Sequence, residues 1–277
     1  RIFHGEDGEQ GAVTVAIAET AHPLAASKGE LHLVGSGPGS LQLLTADART
    51  ALSRCVLWVG YGLYLDLLEP LRRCDQVRLD GQLTRERDRC WQALDLARQG
   101  ARVALISSGD SGIYGMAGLA LELWMDLPET ERPRFQVHPG LSALQLAAAR
   151  AGAPLMHDFC TISLSDRLTP WDVIERRIEA AASGDFVVAI YNPRSRDRNW
   201  QLTRAKEILL CARPETTPVV MARQLGRSDE QVSLHSLGNL RPEDVDMLTV
   251  LVIGNSSSRV QDGRMVTPRG YPGATLN

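Results

Sequence analysis

The chain has 277 residues, enough for two modest domains or one large one, and its 44% apolar and 23% charged residues are ordinary globular values that exclude a disordered chain. A formal net charge of −3 gives no global attraction to nucleic acid or anionic membrane, and no apolar run approaches the roughly 20 residues of a membrane helix. Five widely spaced cysteines (Cys55, Cys74, Cys90, Cys160 and Cys211) include no C-x-x-C pair, so they read as mostly buried small hydrophobes in a reducing cytoplasm, not as a zinc site or disulfide framework. No protein metal site is evident.

Residues 1–28 differ in character from the rest of the chain. Gly5, Gly8 and Gly11 give a polar opening and Pro23–Lys28 reads as a linker, with one alternating stretch, Val13–Ala18, between them. A lone strand does not stand by itself, so this segment is either the edge of an upstream domain or a disordered arm. The chain opens on Arg1 and reads as a piece of something longer.

From Glu30 onward strands and helices alternate. Short apolar runs at Leu31–Val34, Cys55–Val59, Val77–Leu79, Arg102–Ile106 and Phe135–His138 are expected strands. Helical patterns lie between them at Thr45–Ser53, Arg85–Gln99 and Tyr114–Asp126, with Thr45 as an N-cap and Gly100 in C-cap position. A helix over Ser142–Ala151 closes this half, and Gly152-Ala153-Pro154 breaks it. This alternation predicts a mainly parallel sheet with helices on both faces.

In the second half, strands are expected at Cys160–Leu164, Asp185–Tyr191, Pro218–Ala222, Gln231–His235 and Leu248–Ile253, with helices at Pro170–Ala182 and Trp200–Cys211. Only a turn, Arg223–Arg227, fits between the third and fourth strands, so those two pair as an antiparallel hairpin and the second sheet is mixed. The expected architecture is two α/β domains, 29–152 and 153–277, with a small-molecule cleft between them.

Three glycine-rich turns succeed expected strands: Gly35-Ser36-Gly37-Pro38-Gly39, Ser108-Gly109-Asp110-Ser111-Gly112-Ile113-Tyr114-Gly115 and Pro139-Gly140-Leu141-Ser142-Ala143. Such turns let backbone approach a ligand because no Cβ intervenes. The first is a poor dinucleotide fingerprint, since Gln42 stands at the last glycine position and the next strand ends Trp58-Val59-Gly60-Tyr61 without an acid. No lysine comes after it as in a phosphate-binding loop, and a purely structural tight turn stays open. Asp110, at the end of a buried strand, either faces a ligand or caps a helix.

In this order the three turns resemble those of the tetrapyrrole (class III) methyltransferases. In the second half, Gly152-Ala153-Pro154-Leu155, His157-Asp158-Phe159-Cys160, Ser163–Asp166, Leu168–Trp171, Tyr191-Asn192-Pro193-Arg194-Ser195-Arg196, Gly254-Asn255-Ser256 and Arg264–Tyr271 are similar to the precorrin-3B C-17 methyltransferase branch. The likeness covers about residues 30–271. Ser111 departs from it, standing where a proline is usual and loosening the turn.

The resemblance implies a tetrapyrrole methylase-like fold, a homodimer, and S-adenosylmethionine (SAM) in the cleft. By motif, Pro38, Ser108, Gly109, Asp110, Ile113, Ser142, Ala143, Tyr191, Asn192 and Gly226 would line the SAM site. The implied reaction methylates C-17 of precorrin-3B or cobalt-precorrin-3 and contracts the ring. Whether the substrate carries cobalt is not legible, and a C-11 or uroporphyrinogen III methyltransferase, or an RNA or protein methyltransferase of the same fold, are the alternatives.

Ring contraction moves protons, for which His157 and Asp158 are candidates by residue type and Asp110 a candidate for orienting substrate; the bland reading of His157 is a satisfied residue in a linking loop. Arg194, Arg196, Arg198, Arg204 and Lys206 offer cations for the carboxylates of a macrocycle, with Arg194 and Arg196 foremost, or else form a solvated basic face. Val13–Glu19 loosely resembles the end of a corrin-pathway hydrolase, consistent with an upstream fused domain. A chain begun at Glu30 is therefore expected to fold and methylate as this one does, with a Tm within a few degrees; aggregation of the shortened chain would show that the arm packs on the enzyme.

Overall fold

The computed structural model describes residues 28–82 and 85–273; the expected strand at Val13–Ala18 and the rest of the arm lie outside them. Strands β1 (Glu30–Gly35), β2 (Leu57–Tyr61), β3 (Val77–Gly81), β4 (Arg102–Ser107) and β5 (Arg134–His138) form one sheet in the order β3-β2-β4-β1-β5. Every pairing in it is parallel. Helices α1 (Ala46–Arg54), α2 (Gly62–Leu68), α3 (Glu86–Arg98) and α4 (Ala117–Met125) cover its two faces.

The alternation of β1 explains the layering. Leu31 and Leu33 pack with Val103 and Leu105 beneath α3 and α4, while Val34 joins Trp58, Ala104 and Ile106 beneath α1 and α2. Each of these buried leucine, isoleucine and valine side chains contributes roughly 1.5–3 kcal/mol.

Several boundaries differ from the sequence expectation for local reasons. Cys55 closes α1, its N–H donating to Ala51 O, so β2 starts two residues later than expected. The turn after β4 runs on to Met116 because Tyr114 sits in the left-handed region at φ 52°, so α4 begins only at Ala117. The short helix α2 was not expected. Cys55 and Cys90 are buried and Cys160 is half-buried, but Cys74 and Cys211 are exposed.

Next come helix α5 (Ala143–Ala151) and strand β6 (Gly152–Ala153). Strands β7 (Phe159–Ser163), β8 (Val187–Tyr191), β9 (Pro218–Arg223), β10 (Gln231–Ser236) and β11 (Thr249–Ile253) build the second sheet in the order β10-β9-β11-β8-β7. Only β7 and β8 run parallel, and β9–β10 is the expected hairpin, with Met221 opposite Ser233. Helices α6 (Trp171–Ser183) and α7 (Gln201–Ala212) cover one face.

The other face is covered by α5. Its Leu144, Leu146, Ala147 and Ala151 pack on Val187, Ala189, Val220 and Val252. The helix expected to close the first half therefore belongs, by packing, to the second sheet. Strands β12 (Arg259–Gln261) and β13 (Arg264–Val266) join β6 in a small third sheet. Among the described residues no helix is long and apolar enough to cross a membrane.

At the start of the fold, Gly29 O accepts from Arg134 N at 2.8 Å, so Gly29 belongs to the folded unit and a shortened chain keeps this bond only when begun at Gly29 or before it. Two glycine substitutions separate packing from flexibility. A Cβ on Gly140 would stand 2.1 Å from Gly109 O and 2.7 Å from Gly35 O, whereas one on Gly118, inside α4, meets nothing within 4 Å. In denaturant unfolding, Gly140→Ala is expected to cost about 1–3 kcal/mol or more, and Gly118→Ala to gain about 0.5–1 kcal/mol. Equal effects would mean that the turn is not tightly packed.

Candidate functional site

The three glycine turns meet at the carboxyl edge of the first sheet, backbone against backbone. Gly37 and Gly109 exchange N–H···O bonds of 3.0 and 2.8 Å, both at positive φ (73° and 67°), which an L side chain disfavours. A Cβ on Gly35 would fall 2.6 Å from Gly140 N and 2.7 Å from Gly109 O. Asp110 locks the arrangement, accepting from Gly112 N through Oδ1 at 2.8 Å and from Gly140 N through Oδ2 at 3.0 Å. It caps no helix; α4 starts without a side-chain cap.

From the third turn the chain enters α5 through a capping box, with the Ser142 hydroxyl accepting from Gln145 N and the Gln145 side chain accepting from Ser142 N. Nearby, Leu144 N–H donates to the Tyr191 hydroxyl at 3.0 Å. Tyr191 ends β8, so this bond ties the turn to the second sheet. Burial pushes the Tyr191 phenol above its ordinary pKa and keeps it neutral.

Between the sheets lies a cleft of about 210 Å³, room for a small molecule rather than a folded chain or duplex. Pro38, Ser108, Gly109, Asp110, Ile113, Ser142, Ala143, Tyr191 and Asn192 all line it. Gly226 does not. It sits at φ 72°, with its N–H donating to Glu230 Oε2 at 2.7 Å and its carbonyl packed against Gly39, while Gln224, Leu225 and Arg227 of the same turn reach the cleft. Arg150 of α5 holds the other oxygen of Glu230 at 2.6 Å, which fixes the turn on α5.

Tyr64, Tyr114 and Met247–Val250 also line the cleft without having been expected there. Tyr114 bridges the sheets, its hydroxyl 3.3 Å from Thr161 Oγ1 and its ring 5.1 Å from that of Tyr191. The φ angles of Tyr114, Asn192 and Gln224 (52°, 50° and 51°) mark strained backbone at all three walls. Asn192 is held by its amide donating to Ser163 Oγ at 2.9 Å and its carbonyl accepting from Arg198 Nε at 3.2 Å.

The other expected residues are placed differently. His157 and Asp158 are exposed ahead of β7 and do not line the cleft; His157 Nδ1 accepts from Asp158 N at 2.8 Å. Most of the cationic rim is structural. Arg198 is buried, Arg204 pairs with Glu175 and Glu207, and Lys206 donates to Gly238 O and Leu240 O. Arg194 donates to Pro242 O at 3.1 Å, and Arg196 is exposed.

Residues 30–241, which carry all three turns and most of the cleft, match the model of the Tetrapyrrole (Corrin/Porphyrin) Methylases. The chain is 47% identical over 245 residues to a probable cobalt-factor III C(17)-methyltransferase of Salmonella typhimurium, covering 87% of this chain and 99% of that one. It is 41% identical to a precorrin-3B C(17)-methyltransferase of Sinorhizobium, covering 89% and 99%. The crystal structure of the methyltransferase CobJ superposes with a TM-score of 0.81 at 36% identity, covering 87% of this chain and all of that one.

Asp110→Asn tests the lock. The amide keeps the shape but turns one acceptor into a donor facing a backbone N–H. Urea unfolding should show a loss of about 1–3 kcal/mol; an unchanged midpoint would mean that Asp110 does not hold the turns together.

Proposed function

The chain belongs to the tetrapyrrole (corrin/porphyrin) methylases and is a SAM-dependent C-methyltransferase, and from that premise we propose that it methylates C-17 of precorrin-3B or cobalt-precorrin-3 with contraction of the ring to the precorrin-4 level. The observation that carries the reading is the cleft itself, where nine residues expected from sequence converge from both sheets. The two named relatives, each matched over nearly its whole length, support the C-17 position.

The cleft residues fit SAM. Glycine turns bring bare backbone to the wall, Ile113, Leu225 and Val250 give apolar surface, and Asp110, Tyr114 and Asn192 give polar contacts. When bound, SAM supplies a methyl group already activated by its sulfonium. The chain's own task is then placement: correct alignment of two reactants can lower a barrier by on the order of 7–11 kcal/mol. Pro38, Ser108–Asp110 and Ile113 would hold one side of the methyl donor, Ser142 and Ala143 the start of α5, and Tyr191 and Asn192 the side facing the second sheet.

The macrocycle would lie over the open mouth, with exposed Arg196, four residues beyond the cleft-lining Asn192, offered to a peripheral carboxylate. His157 and Asp158 lie too exposed to act at the cleft wall, so the proton handling of ring contraction would fall to groups that line it. We assign the protein to the cytoplasm as a homodimer with no nucleic-acid partner, and divide it into domains 29–152 and 153–277 joined through α5.

Incubation with methyl-labelled SAM and, in parallel, precorrin-3B, its cobalt form, uroporphyrinogen III or RNA tests the reading: label should enter only the first two, and label in RNA alone would overturn it. Arg196→Ala should raise the KM for the macrocycle about threefold to tenfold while leaving SAM affinity within about twofold. Loss of both affinities together would make that turn structural.

A further inference from the structure

Behind the Gly140 turn, residues 106 apart in sequence meet in a buried pair: His32 in β1 and His138 at the end of β5. His32 Nδ1 lies 2.9 Å from His138 Nε2. The ring centroids are 5.1 Å apart, which is the N···N distance plus roughly one ring radius at each end, so the rings meet edge to edge along a hydrogen-bond line. The outer nitrogens are engaged as well. His32 Nε2 is 3.1 Å from Glu30 Oε2, and His138 Nδ1 is 2.8 Å from Asp47 Oδ2 in the first turn of α1.

Proton counting makes this chain of four groups unusual. Each of its three contacts needs one proton, but two neutral imidazoles bring only two. With both carboxylates ionised, the array is complete only when the histidine pair holds one additional proton. One fewer leaves two lone pairs facing each other, and one more sets N–H against N–H.

The surroundings keep Glu30 ionised, which that count requires. Arg102 Nε of β4 is 3.5 Å and Arg134 Nη1 of β5 is 3.9 Å from Glu30 Oε1, and Arg54 at the end of α1 also faces the pair. Burial alone would raise the Glu30 pKa, but the His32 bond and Arg102 outweigh it and hold the carboxyl below its ordinary value. Cys55 beside them is pushed up to about 12, mainly by burial, and stays neutral. Burial pushes His32 down, helped by His138 and Arg54 and opposed by Glu30, so His32 takes up a proton only on the acid side of the ordinary histidine range.

We propose that His32 and His138 are positioning residues whose shared additional proton braces the Pro139–Gly140 turn and, through it, the methyl-donor cleft. His138 directly precedes Pro139, whose carbonyl accepts from Thr45, the N-cap of the helix that carries Asp47, at 3.0 Å. Gly140 is held by Asp110 and has no slack against Gly35 and Gly109. A repelled His138 therefore moves the turn. The braced state binds one more proton than the relaxed one, so methyl-donor affinity is full below the pH at which that proton leaves and falls as pH rises through it. The consequence for methyl-donor binding rests on the function proposed above; the proton count does not.

Imidazole nitrogen NMR of the full ligand-free chain tests the brace. One cationic ring shared between the two on the acid side of neutrality, with both rings changing together as it titrates, is expected; two neutral rings throughout would overturn the proposal. Calorimetry with S-adenosylhomocysteine between about pH 5 and 8 should show affinity falling about fivefold to tenfold, with a flat profile in His32→Phe and in His138→Asn. A wild-type slope in either folded variant overturns the brace. A shared proton without S-adenosylhomocysteine binding at any pH supports the brace and overturns the functional reading.

Discussion

Everything in this fold that concerns function hangs on the contact of three glycine turns without side chains between them. Gly35, Gly109 and Gly140 come from three parallel strands, and a Cβ on Gly35 or Gly140 would strike the backbone of its neighbours. The contact does more than finish the first sheet. It sets where Ser142 lies, Ser142 starts α5 through its capping box, and α5 carries its apolar face to the second sheet. The relative placement of the two sheets therefore depends on van der Waals contact between backbones, reinforced by the Asp110 carboxylate bonds to two amides.

The rest of the cleft is held at some local cost. Three non-glycine residues with left-handed backbone, Tyr114, Asn192 and Gln224, all face it, and each such conformation stores on the order of 1–3 kcal/mol. Asn192 is fixed by Ser163 and Arg198, and the Gln224 turn by Glu230 and Arg150. These partners oppose relaxation, so the walls stay where a ligand would need them. Arg198 illustrates the point. Burial lowers its pKa, yet it spends its donors on Asn192 O and Met247 Sδ instead of on solvent or substrate.

Most of the first sheet was legible because its signals are local: apolar runs ended by glycine turns, and Thr45 as a cap. Seven of the residues expected to line the cleft converge because the turns that carry them share one sheet edge, and Tyr191 and Asn192 meet them from the end of β8. What escaped depends on sheet order. Tyr64 and Met247–Val250 reach the cleft from elements whose neighbours are set by crossovers, and no motif marks them. The allegiance of α5 was hidden because a short alanine-rich helix shows no single apolar stripe. The arginine segment misled because charge spacing says nothing about partners: Glu175 and Glu207 claim Arg204, and two carbonyls claim Lys206. His32 and His138 look like ordinary strand residues until the register of β1 and β5 brings them together.

A reaction whose methyl group arrives activated asks the protein for alignment more than for proton chemistry, and alignment is lost when a wall can drift. A wall of flexible side chains would have to lose rotamer freedom each time a ligand bound, at a cost of about 0.5–1.5 kcal/mol for each side chain immobilised. Here Gly109 is the one glycine among the described lining residues, and the packed glycine turns behind the wall fix the backbone from which its side chains project. On that argument the absence of a nucleophile–base pair among the described residues of the cleft and the abundance of glycine at its edge express one requirement: the chain lowers the barrier by being already in place.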